Sequence, residues 1–153
     1  MKKLFLILII VFLNGCGYTP LYSSKESNYK IINLKSNVNN IFTNYIQNRL
    51  EVLSNENAEK KINISFIYNE KISIILKDAK GDPSKNRLSV IIDISIFDNR
   101  DSLVATKTFS ENFEYKIQDN KFNLKQYEKN IKLNLIEDIT QQILEFLATL
   151  KWF

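Results

Sequence analysis

Histidine is missing from this 153-residue chain, cysteine occurs once, proline twice and glycine three times. Each shortage closes off a kind of chemistry. Without histidine, the commonest general base and the commonest metal ligand are gone. The glycines stand at 15, 17 and 81, so no glycine-rich loop can cradle a phosphate. A hydrolase built on serine and lysine would need a nucleophile beside a base in a cleft, and no motif points to one. The sequence therefore reads as a protein that is not an enzyme and that uses no cofactor and no metal. An excess of charge of one sign is also small: the net charge is +4, and 19 basic against 17 acidic residues remain once Lys2 and Lys3 are set aside. So small an excess gives no reason to expect nucleic-acid binding.

Long apolar runs are scarce too. The one clear run, "LFLILIIVFL", covers ten residues after the charged start "MKK", where a helix needs about 20 to cross a bilayer. A charged start and a short apolar core are the marks of a secretory signal. The segment "LNGC" that closes it resembles the bacterial lipobox, with Leu13 three positions and Gly15 one position before Cys16. Asn14 is less usual at its place than Ala or Ser. The resemblance implies that the Cys16 sulfur carries a diacylglycerol, that the leader is cut before it, and that the new amine is acylated. Acyl chains contribute about 0.8 kcal/mol per buried CH₂, and several together hold a protein on a membrane stably. A lone cysteine thus has a use that needs no second one. Gly17 follows where many Gram-negative lineages place Asp to retain lipoproteins at the inner membrane, so export to the outer membrane is expected.

What remains is ordinary for one globular domain, with 44% hydrophobic and 25% charged residues. Isoleucine (22) and asparagine (19) are abundant, the composition of an AT-rich genome, so single Lys and Asn residues carry less meaning than usual. Residues 1–15 read as the signal peptide, 16–28 as a lipidated start and polar linker, and 29–153 as a single domain. "YKIINL" (29–34) reads as a strand. "SNVNNIFTNYIQNRLEVL" spaces its apolar residues as a helix does, with Ser36 or Asn37 as the expected cap. From 62 to 77 every even position except Glu70 is apolar, which predicts a long strand with one face on a core and a bulge or kink at Glu70. The loop "DAKGDPSKN" leads to alternating segments at 87–97 and 103–117, and an amphipathic helix runs from about Asn123 to the end. The expected class is α+β, two helices packed on one face of a small, mostly antiparallel sheet, in the order β-α-β-β-β-α.

Immediately after Cys16 stands "GYTPLY". Gly17, Tyr18, Pro20, Leu21 and Tyr22 resemble the start of alphaproteobacterial LPS-assembly lipoproteins, the LptE family, although Ser23 replaces the usual next glycine. The element order and the long last helix agree with that family at a coarser grain. The resemblance implies an outer-membrane lipoprotein at the periplasmic face. It would act as plug and assembly partner of a β-barrel of the LptD type in lipopolysaccharide transport. In that setting Tyr18, Leu21 and Tyr22 either pack on the barrel wall or the domain, or belong to a tether stiffened by Pro20. Lys77, Lys80, Lys85 and Arg87 gather around the expected hairpin loop, where they would bond lipopolysaccharide phosphates, or else form a solvated loop shared with Asp78 and Asp82. A lipid-anchored scaffold or binding subunit of another envelope machine is the alternative.

Overall fold

The computed structural model describes residues 27–150. The signal segment, Cys16 and the "GYTPLY" residues therefore lie outside the described residues. Four strands and two helices follow in the expected order: β1 (Tyr29–Ser36), α1 (Ile41–Val52), β2 (Lys60–Lys77), β3 (Pro83–Asp98), β4 (Leu103–Lys116) and α2 (Lys121–Thr149). The sheet order is β1-β2-β3-β4, with β1 parallel to β2 and the remaining pairs antiparallel. Parallel neighbours need a crossover connection, most often a helix, and α1 is that crossover.

One side of the sheet is dry. Ile62, Ile64, Phe66 and Tyr68 of β2 share it with Leu88, Val90, Ile92, Ile94 and Ile96 of β3, all buried. This face meets Ile46 and Leu50 of α1 and the stripe Ile131, Leu135, Ile136, Ile139, Ile143, Leu144 and Leu147 of α2. The steps of three and four along α2 hold that stripe toward the sheet from Ile131 to Leu147. Both helices therefore pack on one face, as the period-two and helical patterns predict.

The boundaries differ from the expectation in four places, each with a local cause. Helix α1 is capped by Asn40, not by Ser36 or Asn37. The Asn40 Oδ1 accepts from the amides of Phe42 and Thr43, and Thr43 Oγ1 in return accepts from the Asn40 amide. Glu70 makes no bulge: the β2–β3 register runs unbroken from Ile62 to Ile74 and shifts only around Leu76. The expected nine-residue loop shrinks to a tight turn, because Pro83, Lys85 and Asn86 pair with Lys77, Leu76 and Ile74. Lys85 and Arg87 are thus strand residues.

The fourth difference concerns cover. Ile72, Ile74 and Leu76 continue the apolar parity of β2 yet are 48%, 53% and 58% exposed. Strand β1 pairs with only the first part of β2, α1 packs on α2 and β1, and α2 packs chiefly on β4 and β3. Among the described residues, no helix packs on the far half of β2.

Candidate functional site

The two hairpin loops are built alike. Asp78 Oδ1 accepts from the amides of Lys80 and Asp82, and Asp98 Oδ1 accepts from those of Arg100 and Ser102. In each the fourth residue is left-handed, Gly81 at φ 88° and Asp101 at φ 59°. Glycine suits that conformation because it has no Cβ to clash. At the β2–β3 tip the Asp78 carboxylate is therefore engaged in the turn, and Asp82 joins it through its backbone.

The four cations expected at this end divide into two sets. Lys85 and Arg87 of β3 both grip Glu114 of β4, at 2.5 and 2.6 Å. Hydrogen bonds from Lys85 and then Arg87 hold the Glu114 carboxyl below the usual carboxylate range. Lys77 and Lys80 are exposed and have no ion-pair partner among the described residues. The structure thus brings the four to one end but leaves only two of them uncommitted. Lys71, on the same stretch of β2, likewise has no ion-pair partner among the described residues.

A cluster at Glu70 marks where the helical cover stops. Tyr68 donates its hydroxyl to Glu70, and Lys132 of α2 reaches the same carboxylate at 2.7 Å. The Lys132 ammonium also lies 4.9 Å from the centre of the Phe42 ring, which stacks on Tyr68 at 6.4 Å. Burial alone would raise the Glu70 pKa, but the bonds from Lys132 and Tyr68 outweigh it and hold the group below its ordinary value. Burial and the neighbouring carboxylate push the Tyr68 hydroxyl well above the phenol range. One residue from each of α1 and α2 and two from β2 are fastened together here.

The other side of the sheet is unlike the first. Asn63, Ser65, Asn69, Lys71 and Ser73 of β2 lie beside Arg87, Ser89, Asp93 and Ser95 of β3 and Thr106, Thr108, Ser110 and Asn112 of β4. Ile67, Ile91 and Phe97 are the main apolar side chains among them. Short hydroxyls and amides make hydrogen bonds across the strands, as Thr108 does to Asp93 at 2.5 Å and Asn33 to Asn63 at 3.0 Å. Asn63 in turn donates to Asp101 at 3.1 Å, beside a shallow open cleft of about 440 Å³ lined also by Lys35 and Phe97. No helix covers this face among the described residues. Its polar character was legible for β2 from the odd positions. The β3 and β4 contributions carry the same alternation, and only the strand register shows that they join into one surface.

Among the described residues no group of His, Cys, Asp and Glu could hold a metal, and no helix is long and apolar enough to cross a membrane.

No protein-family model matches the chain, and no curated protein does. Solved structures do. Rare lipoprotein B from Shewanella oneidensis superposes with a TM-score of 0.57 at 11% identity, over 80% of this chain and 99% of that one. A lipoprotein B from Nitrosomonas europaea gives 0.58 at 13% identity, over 77% and 83%. The fold is shared with lipoproteins. It also occurs in a neuraminyllactose-binding hemagglutinin homologue from Helicobacter pylori, with a TM-score of 0.54 at 11% identity, over 88% of this chain and 90% of that one.

Proposed function

We propose that this chain is a lipid-anchored envelope protein, attached through Cys16, that serves as plug and assembly partner of the β-barrel delivering lipopolysaccharide to the outer membrane. The observation that carries the reading is the two-sided sheet. One face is buried under both helices, while the other is paved with serine, threonine and asparagine over three long strands. The lumen of a wide transmembrane barrel is polar, and a plug must meet it with hydroxyls and amides rather than with a greasy surface. The "GYTPLY" resemblance and the fold shared with lipoprotein B support the same reading.

Strand β2 has 18 residues and spans on the order of 55 Å at about 3.3 Å each. A domain tethered beside Ser27, at the β1 start, would hold the β2–β3 tip far from its anchor. There Lys77 and Lys80 stand next to uncovered isoleucines. Exposed ammonium groups at that tip suit the phosphates of a phosphorylated lipid. The protein acts without chemistry of its own in this account.

The alternative, a binding or scaffold subunit of another envelope machine, draws on the same fold in the Helicobacter hemagglutinin homologue. Depletion separates the two. Loss of surface lipopolysaccharide together with loss of the mature barrel is expected. An unchanged barrel and an unchanged surface after depletion would favour the alternative.

A further inference from the structure

Strand β2 is flanked on both sides only as far as Phe66, which pairs with Ser36 of β1. One residue later Asn37 takes over. Its backbone N–H donates to the Phe66 carbonyl, and its side-chain amide bonds both the N–H and the C=O of Tyr68. Past Tyr68 nothing described continues the ladder on that side. Alternate residues of a strand direct their backbone groups to opposite neighbours. Since Phe66 and Tyr68 face β1, the N–H and C=O groups of Glu70, Ile72 and Ile74 face the open edge. Natural sheets usually shield such edges with charge, proline or a covering element. Here no described element covers the edge, and Ile72 and Ile74 are exposed beside Lys71.

The charge distribution says what kind of strand fits. Residues 70–87 and 114–132, which build this end of the molecule, carry ten Lys or Arg against six Asp or Glu. The other described residues carry seven against ten. The domain is therefore polarised along its length, basic at the end that includes the open edge and acidic at the other. A second copy laid edge to edge would bring two basic ends together, which opposes pairing. We infer that the edge of β2 from Glu70 to Ile74 accepts an extended segment of another protein, one that alternates β-branched and acidic residues, as an added antiparallel or parallel strand. Backbone hydrogen bonds to Ile72 and Ile74 supply the binding. Their side chains pack on the incoming apolar residues, and Lys71, Lys77 and Lys80 meet its carboxylates. The inference does not depend on which envelope machine the protein serves.

The test uses the full-length lipidated chain in mild detergent and a ten-residue peptide alternating valine and glutamate. Hydrogen–deuterium exchange over the segment 68–78 is the readout, with detergent alone as baseline. The inference expects slowed exchange in that segment, and at least tenfold weaker binding when lysine replaces glutamate in the peptide. It also expects loss of protection in Ile72→Pro, where the ring removes an outward N–H that β3 does not use. Ile74→Lys should have the same effect while leaving the fold intact, which guards against misfolding of the proline variant. Unchanged exchange at millimolar peptide would overturn the inference. Protection that appears without peptide and grows with protein concentration would assign the edge to a second copy instead. Protection by lipopolysaccharide but not by peptide would assign it to an amphiphile.

Discussion

Asn37 pairs with the backbone of Tyr68 as though it were one more residue of β1: its Nδ2 donates to the Tyr68 carbonyl at 3.1 Å, and its Oδ1 accepts from the Tyr68 amide at 2.9 Å. A side chain thus ends the parallel ladder at the point where the chain must leave the sheet for α1. Asn37→Ala would strip both partners from a backbone position beside the buried Tyr68 ring. Leaving part-buried polar groups unmade costs about 1–3 kcal/mol. Urea denaturation should show a loss in that range, with Asn37→Asp intermediate because it can still accept from the amide. No measurable change would mean that water replaces the side chain without loss.

Glu70 should make stability depend on acid. Its folded pKa lies below the ordinary 4.5, so its contribution is fully present above that value and is lost as pH falls through the lower folded value. The effect is softened by solvent, because the carboxylate side chain is 41% exposed. Glu70→Gln should reduce stability at pH 7 and flatten its decline below pH 4.5, read as the urea midpoint at a series of pH values. Parallel curves for variant and parent would contradict the pairing with Lys132 and Tyr68.

The two hairpin turns predict a rank order. Gly81 has open space around an added Cβ, so the penalty of Gly81→Ala comes from the left-handed backbone alone, about 1–2 kcal/mol. Aspartate already occupies the equivalent place at Asp101. Gly81→Asp should therefore be less harmful than Gly81→Ala in thermal melts. The reverse order would show that the turn relaxes to another form.

Ile139 is fully buried under the sheet with Ile136 and Ile143. Ile139→Ala should cost about 2–5 kcal/mol, the range for truncating a large aliphatic side chain in a packed core. The same change at Ile74, of similar chemistry but exposed, should fall within about 0.5 kcal/mol of neutral. Equal losses would mean that the far half of β2 is covered after all.

The sequence revealed element order well because its patterns are strong. Residues 62–77 alternate with period two, and α2 repeats at three and four. Neither pattern reports how far a neighbour extends. Ile72 and Ile74 carry the same signal as Ile62 and Ile64, yet only the latter pair lies beneath a helix. The cap was misplaced for a related reason: Ser36, Asn37 and Asn40 all have oxygens able to cap. Only tertiary structure assigns Asn37 to Tyr68 and leaves Asn40 at the helix. At the tip, four cations close in sequence suggested one patch, whereas Glu114, 27 residues beyond Arg87, neutralises part of it. Long-range partners are not visible in local spacing.

The most direct test of the account places a photo-crosslinking residue at Ser89, in the middle of the polar sheet face, and irradiates intact envelopes of cells making the full-length chain. The account predicts a single one-to-one adduct with a large outer-membrane β-barrel, and its disappearance when the barrel is depleted. Membrane-bound, folded protein that yields no such adduct, or that crosslinks only to periplasmic or inner-membrane partners, would contradict it.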